Sequence, residues 1–178
     1  EGAIILPFGE VAPRLNLWRA PTDNDAIGHI AEKWEKWGLR DLHRTSSKLT
    51  KKGGVTKIVH TWKTSAGIII KHNQTVEAVE SGLRVTDEVI LPKQLDDVAR
   101  VGINFEVNGA LDQYTYFGTG PFETMPDRSI GKVHRWSSSV AQQYVPYVKP
   151  QENGGHMGVR WFTLTNQTSH GLYVQLDK

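Results

Sequence analysis

The sequence predicts a mainly β protein built as a large antiparallel sandwich, and three observations predict it. From Gly54 onward, apolar and polar residues alternate with a period of two. Turn signals rich in glycine break that alternation at intervals of roughly 8–12 residues. Helical segments do not alternate with the strands, which excludes the βαβ rhythm of a parallel sheet.

Taken in order, residues 3–13 form one or two short strands closed by Pro13. Asp23, Asn24 and Asp25 follow as turn and cap formers. Residues 30–39 form one short amphipathic helix, the single helix expected. Ile30, Trp34 and Trp37 recur at helical spacing with Glu32, Lys33, Glu35 and Lys36 between them, and Gly38 stands where the helix stops. Strands are expected over residues 55–62, 67–76, 83–91, 98–108, 159–165 and 170–175. The clearest alternation is Val101, Ile103, Phe105 and Val107 against Gly102, Asn104 and Glu106. Breaks fall at Lys52-Gly53-Gly54, Ser65-Ala66-Gly67, Glu80-Ser81-Gly82, Asn108-Gly109 and Asn153-Gly154-Gly155.

The 178 residues suffice for one well-cored domain, taken as residues 1–178. A net charge of +2 gives no global bias towards nucleic acid or an anionic membrane. Lys48, Lys51, Lys52 and Lys57 lack interleaved aromatics, so a solvated hairpin explains them better than a nucleic-acid face. The opening Gly2-Ala3-Ile4-Ile5-Leu6 is far shorter than the roughly 20 apolar residues of a membrane span. The chain begins at Glu1, and Gly171 to Leu176 alternates like a strand that should continue, so a piece of a longer polypeptide is expected.

The sequence has no Cys, which removes thiolate ligands and cysteine nucleophiles together. Seven histidines are scattered, none spaced for a zinc site, so no metal is expected in this segment. Gly118-Thr119-Gly120 is followed by Pro121, which removes an N–H that a phosphate loop would need; a tight corner after a strand is expected. Ser137-Ser138-Ser139 reads as a polar strand edge rather than a nucleophile elbow. Asn73-Gln74-Thr75 and Asn166-Gln167-Thr168 match the glycosylation sequon, which two chance matches in a chain of this size explain. Among the carboxylates, Asp23 and Asp25 suit backbone capping, and Glu123 and Asp127 suit ion-paired corners beside Arg128. No catalytic pair is assigned to them or to Glu152. Trp136, Tyr144 and Tyr147 could stack on sugar faces, while Trp34 and Trp37 read as core.

Three motifs together carry a resemblance. Leu17-Trp18-Arg19-Ala20-Pro21-Thr22-Asp23-Asn24-Asp25, followed by Trp34 and Gly38-Leu39, resembles the entry of the C-terminal β-sandwich, or small-chain, domain of bacterial β-galactosidases in glycoside hydrolase family two. Tyr116-Phe117-Gly118-Thr119-Gly120-Pro121-Phe122-Glu123, then Pro126-Asp127-Arg128, is similar to that domain's Gly-Pro signature. Thr124-Met125 stand where the family usually has Asn-Tyr. Tyr144-Val145-Pro146-Tyr147-Val148-Lys149-Pro150-Gln151-Glu152-Asn153-Gly154, then Arg160-Trp161, is similar to its third stretch.

The resemblance implies a sandwich like that of galactose mutarotase, within an enzyme that hydrolyses terminal β-D-galactosides such as lactose with retention. It places the two catalytic glutamates and a magnesium site, with or without sodium, in an upstream barrel rather than in this segment. It makes Asp25, Ala26, Ile27, Gly28 and His29 a mobile rim of the active-site mouth. The family's substrate-stacking Trp would fall beyond Lys178. Other domains of the same chain and further copies of it are the implied partners, in either cytoplasm or periplasm. A stand-alone carbohydrate-binding module and a purely structural assembly domain are the alternatives.

Overall fold

The computed structural model describes residues 13–177. The strands expected over residues 3–13 therefore lie, but for Pro13, outside the described residues. The protein is mainly β, and every sheet is antiparallel, as the alternation predicts. Among the described residues no helix is long and apolar enough to cross a membrane. The described residues divide into two compact units, one of Arg14–Asn104 and one of Pro13 with residues 105–177.

The first unit is a meander. Strand β1 (Arg14–Asn16) leads to helices α1 (Asp23–Ile27) and α2 (Ile30–Lys36). Strands β2 (Leu42–Lys52), β3 (Val55–Thr64), β4 (Ile69–Val79) and β5 (Gly82–Ile90) then pair in sequence order. Strand β6 (Gly102–Asn104) returns to pair with β1. The β2–β3 turn is Gly53-Gly54, with φ of 56° and 80°, as a tight hairpin with two left-handed residues requires.

Helix α2 is held by its apolar stripe. Trp34 is buried with Leu15, Leu17, Leu39, Trp62, Ile68, Ile70 and Leu95, and Ile30 and Trp37 pack against this core. Each such side chain contributes about 1.5–3 kcal/mol relative to exposure. The helix ends three residues earlier than its periodicity predicts, through a Schellman cap. Gly38 takes φ 67°, its N–H donates to the Glu35 carbonyl, and the Leu39 N–H donates to the Trp34 carbonyl. A Cβ on Gly38 would also lie 2.7 Å from the Ala66 nitrogen.

The second unit holds strands β7 (Gln113–Gly120), β8 (Lys132–Ser139), β9 (Trp161–Thr165) and β10 (Gly171–Gln175), ordered β10-β9-β7-β8, with a 3-10 turn over Ala141–Gln143. Among the described residues its buried side chains are Leu111, Tyr116, Glu123 and Thr124.

Several expectations change. The strand expected over 98–108 shrinks to Gly102–Asn104, because its partner β1 is only three residues long and Phe105 already belongs to the other unit. Val101, placed inward by alternation, is 52% exposed. Helix α1 replaces the turn expected at Asp23-Asn24-Asp25. Gly118-Thr119-Gly120 does not form a corner; it is the end of β7, paired with Lys132, Val133 and His134. Its glycines answer to crowding. A Cβ on Gly118 would lie 2.9 Å from the Val159 Cα, and one on Gly120 would lie 2.8 Å from the Trp136 ring and closer still to the Tyr116 hydroxyl.

Candidate functional site

The segment named as a rim sits on a clamp. Arg19 reaches Asp25 with both guanidinium nitrogens, Nη1 to Oδ2 at 2.6 Å and Nη2 to Oδ1 at 3.0 Å. The Thr22 N–H and O–H both donate to Asp25 Oδ2, at 2.6 and 2.8 Å. Thr22 is the N-cap of α1 and Asp25 its third residue, so the carboxylate supplies the reciprocal half of a capping box. Arg19 also lies over the Trp34 ring at 5.1 Å, which ties the clamp to the core.

The electrostatics follow from these contacts. Burial pushes the Asp25 carboxyl up, but the Arg19 and Thr22 hydrogen bonds outweigh it and hold it below its ordinary value. A carboxylate so engaged is a poor proton donor and a committed acceptor. It orders α1 and leaves the chemistry to other groups.

Beyond the clamp the chain emerges. Ala26, Ile27, Gly28 and His29 are all exposed, Ile27 by 79%. The Gly28 N–H closes α1 onto the Asn24 carbonyl. His29 takes φ 55°, a left-handed value rare for a residue with a Cβ, and its Nδ1 meets Glu32 Oε1 at 2.8 Å. Asp23 and Asn24 lie on the exposed side of α1. The arrangement presents an apolar side chain and an imidazole on a short elbow whose root is fixed.

The second motif cluster is a brace around Glu123. Its carboxylate is 2% exposed. Arg128 Nη1 donates to Oε1 at 3.0 Å, the Tyr147 hydroxyl donates to the same oxygen, and the Gly154 N–H donates to Oε2 at 2.9 Å. The hydrogen bond to Glu123 pushes the Tyr147 phenol above its ordinary value. Thr124, standing where the related motif has Asn, donates its N–H to the Gly155 carbonyl and accepts the Met157 N–H on its hydroxyl. Asn153 accepts the Val145 N–H and donates to the Gln151 carbonyl. The two loops that carry the Gly-Pro and Pro-Gln-Glu-Asn motifs are thereby tied to one buried carboxylate. Gly120, Pro121 and Glu123 enter it directly from β7. Asp127 is exposed and Glu152 half-buried.

Beside the brace runs a chain of hydrogen bonds that sequence reasoning missed. Tyr116 is 1% exposed, and its hydroxyl meets His156 Nδ1 at 3.0 Å. His156 Nε2 meets Gln143 Oε1 at 2.5 Å, and Gln143 Nε2 donates to Ser138 Oγ. The amide oxygen only accepts, so Nε2 carries the hydrogen, and in the neutral ring Nδ1 accepts from Tyr116. Burial pushes the His156 imidazole below its ordinary value and the Tyr114 phenol, stacked on Tyr116, up to about 12.

Of the aromatics named for sugar stacking, Trp136 donates its indole N–H to the Gly118 carbonyl and Tyr147 is engaged at Glu123. Tyr144 is 67% exposed. Among the described residues no group of three or more His, Asp or Glu could hold a metal ion. Arg19 stood within the quoted first motif, but its role depends on a fold-back of six residues that spacing alone does not reveal.

Comparison with known proteins places this geometry. The chain is 29% identical to a β-galactosidase of Priestia megaterium over 165 residues, which cover 91% of this chain and 16% of that protein. It is 28% identical to β-galactosidase BgaC of Bifidobacterium adolescentis over 187 residues, 98% of this chain and 18% of that protein. A β-galactosidase of Actinobacillus pleuropneumoniae shares 28% over 158 residues, 85% and 16% of the two. The chain thus spans less than a fifth of the length of these relatives. The family described as Beta galactosidase small chain matches residues 2–177, and the chain belongs to that family.

Proposed function

We propose that this chain is the accessory small-chain part of a retaining β-galactosidase acting on terminal β-D-galactosides, and that it lines one side of the active-site mouth. The observation that carries this reading is the exposed elbow of Ala26 to His29 set on the buried Arg19–Asp25–Thr22 clamp. A rim that brushes substrate needs a fixed root and a free tip, and this segment has both. Asp25 orients α1 rather than moving a proton. Ile27 and His29 are the side chains offered to a ligand.

The general acid and the nucleophile would come from elsewhere in the longer protein. Phe122 at 69%, Ile130 at 90% and Val148 at 106% exposure suit contacts with the remainder of the enzyme and with further subunits.

The test uses the full-length enzyme. Removing residues 26–29 should raise KM or lower kcat for a chromogenic galactoside by about tenfold or more, the scale of a misplaced binding group. Unchanged kcat and KM would leave only a structural assembly role. The chain alone should neither cleave that substrate nor bind galactose at millimolar concentration. Binding there would favour a carbohydrate module built on Tyr144.

A further inference from the structure

The meander unit contains a polar cluster apart from the rim segment. His60 on β3 and His72 on β4 face each other across the ladder. They are 7% and 2% exposed, with ring centroids 5.2 Å apart. Trp62 flanks both rings, at 6.2 and 6.4 Å. All four strands contribute polar groups. From β2, Ser47 Oγ meets His60 Nδ1 at 2.7 Å, and the Arg44 guanidinium lies over Trp62 at 5.8 Å. From β5, Asp87 Oδ1 accepts from His72 Nε2 at 2.7 Å, and Gln74 on β4 donates to the same oxygen at 2.9 Å. His72 Nδ1 is buried without a partner.

Of the two imidazoles only His72 hydrogen-bonds the carboxylate, whose oxygen also accepts from Gln74, and His60 has Ser47 as its partner. A proton on His60 would create a cation on a ring only 7% exposed, beside a second buried ring and near a guanidinium. Opening the face to solvent relieves it, and the route is short. Beyond the cluster, Lys48–Lys52 of β2 and Arg84–Thr86 of β5 are already exposed.

We propose that His60, His72 and Asp87 form an acid-sensitive lock, which holds β2 to β5 closed over Trp62 near neutral pH and releases them when His60 takes a proton. Burial, then the His72 ring and Arg44, hold the His60 imidazole below its ordinary value against the opposing pull of Asp87. The unfolded chain thus binds this proton at a higher pH than the folded one. The stabilisation is complete above the ordinary histidine value of about 6.5 and is lost as pH falls below it. Asp87 acts in the same direction deeper in acid. Burial raises its carboxyl, but hydrogen bonds from His72 and Gln74 and the two imidazole charges leave it below its ordinary value.

The experiment follows the thermal midpoint of the 178-residue chain by circular dichroism from pH 8 to pH 5, in the wild type, His60→Gln and the exposed control His43→Gln. The wild type and the control should lose midpoint together, and His60→Gln should lose at most about half as much. Equal loss in all three overturns the lock. Should His60→Gln fail to fold, the imidazole titration of His60 in the wild type, followed by NMR, decides. A value below about 6.5 supports the lock, and one at or above it overturns the lock.

Discussion

The two units are held together in different ways. In the meander unit eight apolar side chains, Leu15 to Leu95, form one continuous cluster. In the other unit the described buried side chains are Leu111, Tyr116, Glu123 and Thr124, and the last three are each bound to partners far along the chain. The histidines repeat the contrast. His156 has a partner on each nitrogen, whereas His72 leaves one nitrogen unpartnered and shares its carboxylate with Gln74. An apolar core loses stability in proportion to the volume removed. A hydrogen-bond network loses it when one member leaves another buried and unpaired.

Three substitutions probe this difference. The largest effect is expected in the apolar core, where Ile70→Ala at a fully buried position should cost about 2–5 kcal/mol in urea unfolding. A cost below about 1 kcal/mol would show that the meander is not held by that cluster. Next comes Tyr116→Phe, which removes one oxygen and almost no volume yet leaves His156 Nδ1 without its partner. A loss of about 1–3 kcal/mol is expected, and a neutral result would break the distinction between the units.

The smallest is Asp25→Asn, which weakens a clamp at the edge of the apolar core and should cost about 1 kcal/mol near neutral pH. Its sign with pH is fixed. The folded carboxyl titrates below its unfolded value, so its contribution is present above about pH 4 and lost as pH falls through the folded value. The gap between wild type and variant should therefore close between about pH 5 and pH 2, as followed by the urea midpoint. A gap that stays constant would mean the ion pair contributes nothing.

Parts of this were legible in the sequence because the signals are local. Trp34, Trp37 and Gly38 announce a helix and its cap, and Gly53-Gly54 announces a hairpin. Strand β2 escapes notice because nearly all of its residues are solvated and no alternation marks it. Helix α1 is five residues long, yet Thr22 and Asp25 at capping-box spacing were its sign. The brace is illegible for another reason. The partners of Glu123 lie 24 and 31 residues away, and only the folded loops bring Tyr147 and Gly154 to it. The histidine pair lies between these cases. His60 and His72 each stand six residues from Ala66, so the turn at Ser65-Ala66-Gly67, once taken as the centre of a hairpin, already sets them opposite each other.

The strand order also carries a timetable. Strands β2, β3 and β4 each pair with the next strand in sequence, through short turns, so the chain closes few large loops to form the β2–β5 sheet. Strand β1 must wait for Gly102–Asn104, and β9 must find β7 after β8 has taken its other edge. During synthesis the meander can zip up once Ile90 has left the ribosome. The Glu123 loops become complete only when Gly154 follows, more than sixty residues later. The first half of the chain is thus arranged for early, local closure, and the motif-bearing half for late assembly.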